Sequence, residues 1–72
     1  MTTFLKDTKN NRLINISKAS YIEYVESDCT ICIHYADRVY PFTIEYENKY
    51  DTLAAYDQIC MGIKTEMGLI II

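Results

Sequence analysis

Cys29-Thr30-Ile31-Cys32 has the C-x2-C spacing of half a zinc site, and His34 follows two residues later. A zinc knuckle needs a turn that brings both sulfurs to one point. The intervening Thr30 and Ile31, with Ile33 beyond, favour an extended chain, and in a strand positions i and i+3 point to opposite faces. No second cysteine pair is present, so buried or half-buried free cysteines are expected and no metal or cofactor is assigned. Cys32, His34 and Glu23 could also suggest a thiol nucleophile with its base. Cys32 and His34, however, sit two apart on one strand, roughly 7 Å between Cα atoms. No glycine-rich turn supplies an oxyanion site. The expectation is no catalytic residue and no enzyme.

What surrounds these residues is β-like. Residues Thr2 to Lys6 and Arg12 to Ile16 read as short strands about the polar turn Asp7-Thr8-Lys9-Asn10-Asn11. Ser20 to Glu26, Cys29 to Tyr35 and Val39 to Tyr46 are three more runs rich in Tyr, Ile, Val and Thr. Period-2 reading places Ile22, Tyr24, Ile31, Ile33, Tyr35, Tyr40, Phe42, Ile44 and Tyr46 on one apolar face. The alternate positions form a mixed face, from which Tyr21, Glu23, Cys32, His34, Thr43 and Glu45 are the candidate binding residues.

Register follows from matching the apolar sets. A turn about Ser27-Asp28 puts Ile22 opposite Ile33 and Tyr24 opposite Ile31. A turn about Asp37-Arg38 puts Ile33 opposite Phe42 and Ile31 opposite Ile44. A one-residue slip in either hairpin destroys the common core face. Pro41 lacks an N–H, so a four-residue loop, Ala36 to Val39, is preferred because it places Pro41 at a non-hydrogen-bonded pair with His34. Proline also marks this strand as an edge.

From Asn48 the period becomes helical. Leu53, Tyr56, Cys60, Ile63, Met67 and Ile70 recur at spacings of three and four and form the expected oligomer seam. Asn48 can cap the start, with Asp51 in the first turn. Gly62 and Gly68 are alternative stops. Ending near Gly62 would leave Leu69 to Ile72 as a terminal strand. Running to Gly68 would make them an apolar tail. The expected fold is α+β: an antiparallel meander of four to five short strands, then one amphipathic helix, in a single domain over 1–72.

At 72 residues with half of them hydrophobic, such a domain buries only about 60% of its unfolded surface. The simplest missing support is a second copy of the chain, hence an expected homo-oligomer. Net charge −3, with lysines scattered and only Arg12 and Arg38 as guanidinium groups, disfavours generic nucleic-acid binding. Three cysteines cannot all pair within one chain, no leader-like segment is evident, and no run approaches a membrane span. A cytoplasmic setting is expected. Only Gly62 and Gly68 are glycines, so no phosphate-cradling loop can be drawn. Glu45 and Glu47 read as solvated charge.

The seven tyrosines suit a contact surface, since each buries area while keeping one polar handle. The function expected is a non-enzymatic binding module, recognising a protein or small-molecule ligand. Abundant Ile, Asn, Lys and Tyr with few Gly and Pro is the bias of an AT-rich genome. It suggests a phage or mobile-element accessory protein that inhibits a host enzyme or sequesters a host signalling ligand. As an alternative, a β-meander followed by a helix resembles the small PC4-type and Whirly-type folds. That resemblance, which spans most of the chain without a motif, implies single-stranded nucleic-acid binding.

Overall fold

The computed structural model describes residues 2–72; Met1, the first residue of the expected 1–72 domain, lies outside them. Strands β1 (Phe4–Asp7) and β2 (Arg12–Asn15) form the first hairpin, with Asn11 at φ 52° closing its polar turn. Asparagine tolerates that left-handed conformation better than most side chains. Strands β3 (Tyr21–Val25), β4 (Thr30–His34) and β5 (Phe42–Glu45) follow as an antiparallel meander. Helix α1 (Lys49–Lys64) comes next, then β6 (Leu69–Ile71).

Six strands thus form two sheets, ordered β2-β1-β6 and β3-β4-β5, not the single meander of the sequence reading. The C-terminal apolar segment supplies the third strand of the first sheet. Phe4, Leu5 and Lys6 pair in parallel with Leu69, Ile70 and Ile71. A parallel pair needs a long crossover, and everything between β1 and β6 supplies it. Thr8 fastens the end of the chain by donating from N–H and Oγ1 to the Ile72 carbonyl, at 3.1 and 2.6 Å.

The meander has the expected register: Ile22 faces Ile33, Tyr24 faces Ile31, Ile31 faces Ile44 and Ile33 faces Phe42. Its first turn is a single 3-10 turn, Glu26–Asp28, closed by Cys29 at φ 51°. Cys29 is therefore not extended, contrary to expectation. The second connection is longer than the four residues expected, because pairing stops at Phe42 and leaves Pro41 outside the strand. Proline has no N–H to extend the ladder, while the His34 carbonyl, turned to the β3 side, accepts from the Ser20 N–H at 2.7 Å. Tyr40 is consequently 77% exposed and leaves the core face assigned to it. β5 is an edge strand, as Pro41 implied.

The two sheets meet along β2 and β5 without a shared backbone ladder. Arg12 donates to the Thr43 carbonyl at 2.9 Å, Lys9 to the Glu45 carbonyl, and the Tyr35 hydroxyl to the Asn15 carbonyl at 2.6 Å. Cationic side chains thereby occupy carbonyls of the β5 edge, which would otherwise invite another strand. Arg12 is held by Asp7, a carboxylate with no exposed surface that accepts from Arg12 Nε and a guanidinium nitrogen at 3.1 and 2.8 Å. Asn10 donates to the same carboxylate from its N–H and its side-chain amide. Burial pushes the Asp7 pKa up, but these hydrogen bonds and the guanidinium charge outweigh it and hold the group below its ordinary value.

Leu5, Ile14, Ile16, Ile31, Ile33, Ile44, Ala55, Ile59 and Ile70 make the core, drawn from both sheets and the helix. α1 starts where expected: Asn48 Oδ1 accepts from the Asp51 N–H at 2.9 Å. It ends between the two glycine positions. Met67 N–H donates to the Gly62 carbonyl and Glu66 N–H to the Ile63 carbonyl, with Glu66 at φ 57°, the Schellman arrangement. The helix buries Thr52, Ala55, Ile59 and Gly62. The seam expected from spacing is corrected in two ways. Met67 and Ile70 lie beyond the helix, and Ile70, 2% exposed, is a core residue of β6 that cannot serve an oligomer interface. Among the described residues, no helix is long and apolar enough to cross a membrane.

Candidate binding face and its neighbouring groove

Strand alternation determines which side chains share the uncovered face of the β3-β4-β5 sheet. Glu23 faces Cys32, Tyr21 faces His34, and Cys32 faces Thr43 across the next strand. Glu45, opposite Thr30, continues the same face. All six candidate binding residues therefore stand together. Directly opposed residues bring their Cβ atoms to about 4.5–5.5 Å, close enough for side chains to touch.

They do so in a specific pattern. The Tyr21 and His34 rings stack, with centroids 4.1 Å apart and planes 12° from parallel. His34 Nε2 lies 3.2 Å from Glu23 Oε1. The Cys32 Sγ, His34 nitrogen and Glu23 oxygen all lie within 4.8 Å of one another. Burial pushes the Cys32 thiol up, and the carboxylates of Glu23 and Asp28 add to the shift. Cys29, Cys32 and Cys60 are all free thiols, and Cys29 has no part in the three-residue group.

A second feature adjoins this face. The outer flank of α1 carries Tyr56, Cys60 and Ile63 along a groove whose other wall is Ile16, Ala19 and Ile22, with a volume near 450 Å³. Tyr21 lines the groove as well as stacking on His34, so one side chain joins the two surfaces. At about 100° per residue, Leu53, Tyr56, Cys60 and Ile63 lie about 60–140° around the helix axis from the centre of the buried stripe. Leu53 is 43% and Ile63 50% exposed. Tyr56 is half-buried beside Tyr24, ring centroids 5.7 Å apart.

Spacing alone had singled out this flank as the seam, whereas the face turned inward is the set one position earlier, Thr52, Ala55, Ile59 and Gly62. Thr52 and Gly62 hide that stripe from a hydrophobicity pattern. Thr52 satisfies its hydroxyl on the Asn48 carbonyl at 2.8 Å, which permits its burial. Asp7 carries only a weak sequence signal, an Arg five residues on across a tight turn. Comparisons with protein-family models, with curated proteins and with solved structures found no match.

Proposed function

We propose that the chain is a non-enzymatic binding module that pairs with a second copy of itself through the outer flank of α1. The uncovered sheet face, Tyr21, Glu23, Cys32, His34, Thr43 and Glu45, would recognise a protein or small-molecule partner. The observation that carries the pairing is the exposure of Leu53, Cys60 and Ile63 on one flank of α1, the last two lining a groove against Ile16, Ala19 and Ile22. Large side chains projecting beside a groove are self-complementary under a two-fold axis, the commonest oligomer symmetry.

The chemistry of the sheet face favours binding over catalysis. An active thiol needs its pKa lowered by nearby positive charge, and burial with two carboxylates moves Cys32 the other way. His34 directs Nε2 to Glu23. A phage or mobile-element accessory role, in which the module inhibits a host enzyme or sequesters a host signalling ligand, is the setting that the compositional bias favours.

Native mass measurement and sedimentation at micromolar concentration test the pairing. A dimer is expected, and Leu53→Asp with Ile63→Asp should return a folded monomer. A wild-type monomer at that concentration overturns the reading.

A further inference from the structure

The strongest unassigned chemistry is the meeting of three different donor types on one sheet face. Glu23 projects from β3, while Cys32 and His34 project from β4, and their ligand atoms lie within 4.8 Å of one another. A tetrahedral ion with bonds of about 2.0–2.3 Å has ligand atoms about 3.3–3.8 Å apart. The Glu23–His34 separation of 3.2 Å is already close to one such edge. The remaining edges need an adjustment of only about 1 Å, which rotation of the Glu23 and Cys32 side chains can supply.

We propose that Glu23, Cys32 and His34 form a site for a zinc-class divalent cation, with three protein donors and a fourth position open to solvent. Thiolate with imidazole selects against hard cations such as magnesium and calcium, and the carboxylate selects against monovalent copper. On binding, Cys32 loses its proton to solvent and the sulfur lone pair forms the metal bond. No electron transfer is involved. The cation's two positive charges balance one thiolate and one carboxylate.

Two features prepare the site. The ring of Tyr21, stacked on His34 at 4.1 Å, fixes the plane of the imidazole before a cation arrives, and such orientation of a ligand strengthens metal sites. Cys32 and Glu23 are held directly opposite by the β3–β4 ladder. A cation would also supply the positive charge missing around a thiol flanked by the carboxylates of Glu23 and Asp28. All three donors come from one chain, so the site does not depend on the pairing proposed above.

The test titrates the reduced, chelator-free full chain with cobalt(II) alone, then with zinc alone. One equivalent of cobalt should give a thiolate-to-metal charge-transfer band and tetrahedral d–d absorption, both removed by zinc. Cys32→Ser should abolish the charge-transfer band, and Glu23→Gln, an exposed and nearly isosteric change, should weaken binding on the order of tenfold or more. Cys29→Ser and Cys60→Ser should leave the band intact, and the monomer made by Leu53→Asp with Ile63→Asp should keep it. Circular dichroism of each variant separates lost ligation from lost folding. Absence of the band with cobalt in excess, or its survival in folded Cys32→Ser, overturns the proposal.

Discussion

Gly62 and Ile70 approach so closely that a β-carbon on Gly62 would stand 2.4 Å from Cγ1 and 2.5 Å from Cδ1 of Ile70. The glycine sits inside α1 and lets β6 lie against the helix. Its role is therefore contact, and the helix continues past it to Lys64.

Gly62→Ala brings two opposed effects. Helix propensity improves by about 1 kcal/mol, while overpacking a tight core costs about 1–3 kcal/mol. Both contacts fall well below 3.0 Å and involve a buried side chain, so the steric effect wins. The expected outcome is a net loss on the order of 1–2 kcal/mol, read as a lower urea midpoint at unchanged slope. Combining it with Ile70→Ala should cost less than the sum of the single changes, since the clash then has no partner.

Asp7 makes stability fall in acid. Its folded pKa lies below the ordinary 3.8 because hydrogen bonds from Asn10 and Arg12 outweigh burial. The folded chain thus binds fewer protons than the unfolded one. The stabilisation is fully present above the unfolded value and is lost as pH falls through the lowered folded value. Asp7→Asn should flatten the pH dependence of the urea midpoint in that acid window. Arg12→Ala should cost about 2–3 kcal/mol, less than the 3–5 of a fully buried pair, because Arg12 is about a third exposed.

Glu66 occupies the left-handed position that closes α1, at φ 57°. A β-carbon is unfavourable there by roughly 1–2 kcal/mol, and glycine has no such penalty. Glu66→Gly should raise stability by about 1 kcal/mol after the added flexibility of the unfolded chain is subtracted. Thermal unfolding at fixed concentration reads the gain.

Ile59 and Ile63 lie one turn apart on α1, about 40° from each other around its axis, yet are 1% and 50% exposed. Ile59→Ala should cost about 2–5 kcal/mol at any protein concentration. Ile63→Ala should change the monomer by less than about 0.5 kcal/mol. If two copies meet on that flank, its cost should grow with protein concentration. Denaturation of both variants over a hundredfold concentration range makes the comparison.

Local periodicity was enough to read the meander and its face. Ile22, Ile31, Ile33 and Ile44 alternate with polar neighbours, and a strand's period of two leaves one register in which they meet. The same alternation placed Tyr21, Glu23, Cys32 and His34 side by side, since facing positions follow from register alone. Asn48 marked the helix start because its side chain and the free N–H of Asp51 are near neighbours in sequence.

Other features depended on contacts between distant segments. Pairing of β6 with β1 joins segments far apart in sequence, adds a parallel strand to the first hairpin and draws Ile70 into the core. That same packing decided which stripe of α1 faces inward, admitting Thr52 and Gly62 and leaving Leu53 and Ile63 outside. Burial of Asp7 likewise required Arg12 to reach across to Thr43 on the other sheet. Spacing along a chain fixes which residues share a face; only the summed free energy of long-range pairing and burial selects what that face will meet.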